Sequence, residues 1–198
     1  KIEDSVQIGF LPDTTGLLED VLRMSGAGFQ PLTDRSLQTA DFDMYHVIAI
    51  GSGAFREYPS LRLAKSRLDD FVRHGGSVVV FGQPYDWPRD LLPMELTPAS
   101  DRMTGAEIVN RIPAATVLSE PYNISDRILF ESIVQKRMVA SAIVSPAEIV
   151  YVTPNGSALL SVTRIGDGQI IYCGLPLLEW VSVLNIEAIH LFANLMNY

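Results

Sequence analysis

Few side chains in this sequence have the chemistry of a catalyst, and they lie far apart. Cys173 is the only cysteine, and it stands in an apolar run that is typical of a buried strand. The three histidines, His46, His74 and His190, have neither metal-site nor triad spacing. The acidic pair at residues 69–70 diverges around a predicted helix. The pattern therefore predicts no catalytic residue, no metal site and no cofactor.

Two short segments carry side chains that are suited to binding a ligand. The turn at residues 51–53 follows a predicted central strand, and ligands of open α/β sheets bind beside the carboxyl ends of such strands. Residues 83–87 combine an amide, a carboxylate and two aromatic rings, which suits stacking against a sugar ring. A plain tight turn and a Trp87 loop anchor are the alternatives. The predicted ligand-binding surface consists of Ser52, Gly53, Phe55, Arg56, Gln83, Tyr85, Asp86 and Trp87.

The first half of the chain predicts the scaffold for these segments. Short apolar runs alternate there with amphipathic helical patterns, which is typical of βαβ units that build a parallel sheet. Thr14 or Thr15 is the predicted cap of the first helix, and Ser60 is that of the second. The predicted strands are residues 6–10, 29–32, 46–50 and 77–81.

After the fourth strand the regular alternation stops. Prolines at 84, 88, 93 and 98 interrupt any long helix. We interpret residues 84–146 as an irregular insertion that lies over the carboxyl ends of the strands. The role of residues 99–146 is left open by the sequence.

Regular patterns return at the end of the chain. Residues 148–152, 158–163 and 169–173 are rich in β-forming side chains and are joined by Asn-Gly and Asp-Gly turns, which favour antiparallel hairpins. A final helix is predicted from about residue 183 to 196. Its stripe of apolar side chains is expected to cover the sheet: Ile186, Ile189, Phe192 and Leu195.

Length and composition fit one globular domain over residues 1–198. The hydrophobic share is 47% and the charged share 19%, as in ordinary globular proteins. These patterns predict an α/β, flavodoxin-like, three-layer open sheet. It is mostly parallel, with antiparallel C-terminal edge strands. Because the chain begins at Lys1 without Met, we interpret it as a piece of a longer protein.

The charge balance excludes some partners. The formal net charge is −8, and no basic run exceeds two residues, so nucleic acid is not expected. No apolar stretch approaches the ~20 residues of a membrane span, so no membrane partner is expected either. Other domains of the parent polypeptide are the expected partners, and a homo-oligomer is an open alternative. A lone cysteine does not fix the compartment, although an exported bacterial protein is our expectation.

Three segments resemble the class I glutamine amidotransferase-like superfamily: residues 45–51, residues 67–81 with their glycine pair before a strand, and residues 166–174 followed by Phe192-Ala-Asn-Leu195. Within it, they look most like the non-catalytic domain appended to LmbE-type (PIG-L family) sugar deacetylases, and secondly like ThuA-type domains. The resemblance covers both ends of the chain and not the middle. It implies the amidotransferase-like fold, and its glycine and apolar motifs carry little about function.

The resemblance also implies where a nucleophile would stand. Catalytic members carry a cysteine on the sharp turn after the strand that matches residues 77–81. Here that turn reads Gly82-Gln83-Pro84-Tyr85, and a glutamine amide cannot attack a carbonyl. The glutaminase reaction is therefore not expected.

The leading hypothesis is a catalytically inert amidotransferase-like domain, a pseudoenzyme, that serves as a binding or assembly module of a larger carbohydrate-related protein. A carbohydrate is its expected ligand. One rival is a hydrolase that acts on a sugar with a metal or with the carboxylates of the middle segment. Another is an oligomerisation domain, like the amidotransferase-like domain that trimerises some β-galactosidases.

Overall fold

A computed structural model describes residues 2–39, 42–83, 92, 94–99, 101–131 and 137–197. The strands in these residues are β1 (Gln7–Leu11), β2 (Gly28–Pro31), β3 (Val47–Ile50), β4 (Ser77–Phe81), β5 (Glu95–Pro98), β6 (Asp101–Met103), β7 (Val109–Asn110), β8 (Arg137–Val139), β9 (Ala142–Ser145), β10 (Glu148–Val152), β11 (Ala158–Ile165) and β12 (Gly168–Cys173). The helices are α1 (Leu17–Ser25), α2 (Asp34–Thr39), α3 (Ala54–Glu57), α4 (Leu61–Arg73), α5 (Asp126–Glu131), α6 (Leu177–Ser182) and α7 (Ile186–Asn197).

Five parallel strands form the centre of the main sheet. Their order is β2-β1-β3-β4-β12, which is the order of the flavodoxin-like doubly wound fold. Beyond β12 the sheet continues with antiparallel β11, β10 and β7. Strand β9 also pairs with β11, and β5 pairs with β9. The predicted parallel sheet with antiparallel C-terminal strands is therefore confirmed.

Helices cover both faces of this sheet and make three layers. Strands β3 and β4 are almost wholly apolar because both of their faces are buried. On β4, Val79 and Phe81 belong to the core shared with α1, α6 and α7. Val78 and Val80 face the other core, which includes the buried sides of α2 and α4. The registers align the ends of β1 with β3, of β3 with β4 and of β4 with β12, so the loops after these strands meet at one edge.

Of the two predicted helix caps, the structure corrects the first and confirms the position of the second. The N-cap of α1 is Gly16 at φ 78°, rather than Thr14 or Thr15. Asp13 accepts the N–H of Leu18 there, because the chain enters α1 through a left-handed glycine. Ser60 is the N-cap of α4, but its side chain makes no cap hydrogen bond and donates instead to Asp34.

The C-terminal helix predicted from about residue 183 to 196 is confirmed as α7, which begins at Ile186, and the further helix α6 precedes it. Leu184, with φ 61°, breaks the chain between α6 and α7, and the side chain of Asn185 then accepts the N–H of Ala188. The predicted stripe holds at Phe192 and Leu195, which are buried, but Ile186 is 53% exposed. Ile186 therefore does not cover the sheet as expected.

The segment predicted as an irregular insertion contains β5 to β9 and α5 in its described part. One portion lies at the carboxyl ends of the strands, where Ala140 accepts the Tyr172 hydroxyl. Another portion lies against α7, because the buried Asn194 amide donates to the carbonyls of Val117 and Tyr122. Only part of this segment therefore covers the strand ends.

Candidate functional site

A cleft of about 380 Å³ lies at the carboxyl edge of the parallel strands. This is where open α/β sheets bind their ligands, and the volume is in the usual range of small-molecule sites. The loops after β1, β3, β4 and β12 all reach it, together with the chain that joins β8 to β9. The lining residues are Asp13, Thr14, Thr15, Leu17, Ser52, Phe81, Gly82, Val139, Ala140, Gly174, Leu175, Pro176, Leu177, Leu178 and Glu179.

The β1–α1 loop supplies one polar wall. The Asp13 side chain is buried, with 8% of the residue exposed. Its Oδ2 accepts the Thr15 hydroxyl at 2.6 Å, and its Oδ1 accepts the Leu18 N–H at 3.4 Å. The loop is drawn close to β3, since a Cβ on Gly51 would lie 2.5 Å from the backbone nitrogen of Asp13. Asp13 is therefore held at the cleft by its hydrogen bond to α1 and by the close approach of the loop to the end of β3.

The turns after β3 and β4 are tied to each other. The Ser52 hydroxyl donates to the Gly82 carbonyl at 2.7 Å, and the Gly53 N–H reaches the same oxygen at 3.3 Å. Gly53 has φ 75°, which glycine adopts at little cost. Of the predicted ligand-binding residues that the structure describes, Ser52 lines the cleft.

Gln83 is buried beneath the turns, and its amide makes three hydrogen bonds to the backbone. Its Nε2 donates to the carbonyls of Gly51 at 2.9 Å and Phe81 at 2.6 Å, and its Oε1 accepts the Phe55 N–H at 3.2 Å. Only 1% of the residue is exposed. The side chain thus joins the ends of β3 and β4 and the start of α3.

Three other predicted binding residues, Gly53, Phe55 and Arg56, do not line the cleft. Gly53 and the Phe55 ring are buried, while Arg56 on α3 is exposed to solvent. Tyr85, Asp86 and Trp87 lie outside the described residues. Ligand binding by this set stays a prediction.

The nucleophile candidate Cys173 is a buried strand residue, as predicted. It is a free thiol at the end of β12 and is 0% exposed. Burial raises the pKa of Cys173 to about 12, so that its reactive thiolate is disfavoured near neutral pH.

Each histidine has a structural contact. The Nδ1 of His46 accepts the Gln7 N–H at 3.1 Å, and the Nδ1 of His74 lies 2.7 Å from the Asp70 carbonyl oxygen. His190 stacks on Tyr122 with ring centroids 4.5 Å apart. Among the described residues, no three His, Cys, Asp or Glu side chains come together as a metal-ligand group.

Most of the cleft lies outside the surface that the sequence predicts. In the sequence, Asp13 marks only the predicted end of β1, and Thr15 only a predicted helix cap. Glu179 lies in α6, a helix that the sequence analysis does not predict. The sequence signal that could have indicated this wall of the cleft is the run of polar residues directly after β1, at the same sheet edge as Ser52.

Solved structures with this fold come from several kinds of protein. A candidate GMP synthase subunit from Thermoplasma acidophilum has a TM-score of 0.61 at 10% identity, covering 96% of this chain and 92% of that chain. The cytoplasmic protein STM1381 of Salmonella typhimurium LT2 has a TM-score of 0.59 at 14% identity, covering 96% and 98%. A β-galactosidase from Bacillus circulans sp. alkalophilus has a TM-score of 0.53 at 13% identity, covering 98% of this chain and 31% of that chain.

These likenesses show an amidotransferase-type α/β fold. No protein-family model matches the sequence, and no curated protein matches it either. Within the described part of the chain, no helix is both long enough and apolar enough to span a membrane.

Proposed function

We propose that this chain is a non-catalytic amidotransferase-like module that binds a ligand or assembles a larger carbohydrate-related protein, and that it resembles the non-catalytic domains appended to LmbE-type deacetylases. The observation that carries the proposal is the state of Gln83. This residue stands on the turn where catalytic members of the superfamily carry their cysteine.

The amide of Gln83 has no free donor left. Both Nε2 hydrogens are donated to backbone carbonyls, and Oε1 accepts a backbone N–H. An amide nitrogen is also a poor nucleophile, because its lone pair is delocalised into the carbonyl. The Gln83 side chain is used to hold the backbone, which supports a non-catalytic role.

The remaining thiol supports the same conclusion. Cys173 faces the core that includes α7, away from solvent, and burial favours its neutral form. The β-galactosidase comparison supports a modular role, since this fold makes up 31% of that longer chain.

Labelling with an electrophilic glutamine analogue tests the proposal. We expect the native chain to keep its unmodified mass after incubation with a glutamine-like chloroketone. The same chain unfolded in urea and treated with iodoacetamide should gain one adduct at Cys173, which shows that the thiol is intact. A stoichiometric adduct on the native chain, or release of ammonia from glutamine, would contradict the proposal.

Assembly with a second copy of the chain is a second candidate function. Three neighbouring apolar residues at the α6–α7 turn favour it: Val183, Leu184 and Ile186 are 75%, 72% and 53% exposed. Light scattering of the double variant Val183→Ser, Leu184→Asn tests it. A dimer that becomes a monomer supports this role, and Leu63→Ser on α4, at a residue that is 66% exposed, is the control.

A further inference from the structure

We propose that Asn155 is a modification site, at which the side-chain amide is lost as ammonia, and that Asp101 controls the rate of this loss. The site lies in the turn between β10 and β11, outside the cleft. It goes beyond the proposed function, because the reaction depends on no ligand and no partner. Its evidence is the residue that follows Asn155 and the hydrogen bonds that hold both residues.

Asn155 is followed by Gly156, and both residues are exposed to water. Glycine leaves its own backbone nitrogen unobstructed, because it has no Cβ. That nitrogen attacks the Cγ carbon of the Asn155 amide and forms an N–Cγ bond, while the Cγ–Nδ2 bond breaks. The Nδ2 group leaves as ammonia with the proton of the Gly156 N–H, and a cyclic succinimide remains. Water then opens the ring to aspartate or isoaspartate, so the only co-reactant is water.

The folded turn restrains both reacting groups. The Gly156 N–H donates to the Thr153 carbonyl at 2.9 Å, so the attacking nitrogen keeps its proton in a hydrogen bond. The Thr153 N–H donates to the Ser157 carbonyl at 2.9 Å and closes the same turn. The departing nitrogen, Nδ2 of Asn155, donates to Asp101 Oδ1 at 2.7 Å, which is a charge-assisted hydrogen bond. Loss of the amide therefore requires the turn to open and the bond to Asp101 to break.

Asp101 connects this turn to the wall of the cleft. Its other oxygen, Oδ2, accepts the Ser141 hydroxyl at 2.7 Å, and Ser141 is 0% exposed. Ser141 comes directly after Ala140, which lines the cleft. The Ser141 carbonyl also accepts the Ala99 N–H at 2.8 Å. One carboxylate thus joins the β10–β11 turn to the connection between β8 and β9.

Loss of the Asn155 amide breaks this connection. An aspartate or isoaspartate at position 155 has no donor for Asp101, since an ionised carboxylate only accepts hydrogen bonds. It also brings a second negative charge beside Asp101, and like charges repel. The change is permanent, because the ammonia is lost to the solvent. Modification of Asn155 should therefore loosen the wall around Ser141 and Ala140.

Peptide mapping by mass spectrometry tests the proposal after incubation in mildly alkaline buffer. We expect Asn155 to lose its amide slowly in the native chain and much faster in urea, where the turn is open. Asp101→Ala removes the acceptor and should raise the rate in the native chain about fivefold. Glu148→Ala, which removes an exposed carboxylate from β10, is the control and should keep the parent rate.

An NMR measurement on the parent chain keeps the test decisive if Asp101→Ala does not fold. The Nδ2 protons of Asn155 should exchange with solvent more slowly than those of Asn123, which is also exposed. Exchange as fast as at Asn123 would show that Asp101 does not hold the amide, and would overturn its role.

Asn155→Asp reproduces one product of the reaction. We expect this variant to lower the melting temperature by about 3 °C and to speed up hydrogen exchange at the Ala99 N–H. Asn123→Asp adds the same charge at another exposed residue, so it is the control and should leave both quantities unchanged.

Three results would overturn the proposal: a rate at Asn155 in the native chain equal to that in urea, no gain in rate for a folded Asp101→Ala chain, or no loss of the amide in urea. Equal melting temperatures for Asn155→Asp and Asn123→Asp would contradict the loosening of the wall. None of these results would alter the labelling experiment on the non-catalytic role.

Discussion

The turn after β4 and the cleft beside it lie at the same edge of the sheet, yet they use their polar groups in opposite ways. At the turn, Gln83 directs every hydrogen-bonding group of its amide at the backbone and is 1% exposed. At the cleft, the hydroxyls of Thr15 and Ser52 also donate to protein oxygens, but both residues line an open space. The comparison teaches that two neighbouring parts of one sheet edge can differ: the turn uses its amide to hold the backbone, while the cleft beside it is open.

Gln83→Ala should have the largest effect on stability. It removes the amide that accepts the Phe55 N–H and donates to the Phe81 and Gly51 carbonyls, and the Gly51 carbonyl then keeps the Ala54 N–H at 3.1 Å. We expect the free energy of unfolding to fall by about 3 kcal/mol. Urea denaturation measures it.

The control for this variant is Gln38→Ala on the exposed side of α2, which should change the free energy of unfolding by less than about 0.5 kcal/mol. A loss at Gln83 no larger than that of the control would mean that the turn is not held by the amide.

Gly174→Ala should cause the second-largest loss in the free energy of unfolding, because Gly174 lies where the cleft and the core meet. A Cβ at this position would lie 1.8 Å from the Ala140 carbonyl oxygen, so the β8–β9 connection must move. We expect a loss of about 2 kcal/mol in the free energy of unfolding. Shifted amide resonances at Ala140 would accompany it. Thr14→Ala on the opposite, exposed wall should change stability by less than about 0.5 kcal/mol, and equal losses would contradict this view of the cleft.

Alkaline pH should lower the free energy of unfolding, because Cys173 is buried as a neutral thiol. The folded pKa of Cys173, about 12, lies above its ordinary value of 9.0, so the thiol stabilises the fold fully below pH 9 and loses this contribution as pH rises toward 12. Burial raises the pKa of Tyr151 and Tyr172 too, which acts in the same direction.

Urea denaturation of the parent chain and Cys173→Ala at about pH 8 and about pH 10 isolates the thiol. The parent should lose about 1.4 kcal/mol more than the variant over this interval. Identical pH dependences would show that the thiol already ionises in the folded chain.

Leu184→Gly should have the smallest effect on the free energy of unfolding. The residue lies outside both the turn after β4 and the cleft. Leu184 has φ 61° with 72% of the residue exposed, so glycine relieves backbone strain and gives up little packing. We expect the free energy of unfolding to rise by about 0.5 kcal/mol, after the entropy cost of glycine is counted. A thermal melt measures it. A clear loss of stability would show that the leucine side chain packs against the fold.

The sequence predicts the sheet well because its signals are local. The runs at β3 and β4 are short, apolar and β-branched, and they end at glycine, so that strand, turn and helix can be read in succession. The antiparallel β11–β12 pair is equally local, since the Asp-Gly turn specifies it.

The candidate site could not be predicted in the same way because long-range contacts build it. The wall formed by Ala140 depends on the Tyr172 hydroxyl, 32 residues away in sequence. The middle segment depends on Asn194, which bonds to Val117 across 77 residues. The structural role of Gln83 could not be predicted either, because no local sequence pattern indicates that its amide forms hydrogen bonds with the backbone of Gly51 and Phe55.

The most direct measurement of the central claim is hydrogen exchange at the Gln83 side-chain amide, followed by NMR in the native chain. If the amide closes the turn, its two Nε2 protons give separate resonances that exchange far more slowly than those of the exposed Gln38. Exchange as fast as at Gln38 would show an open turn with a free amide, and would contradict the account.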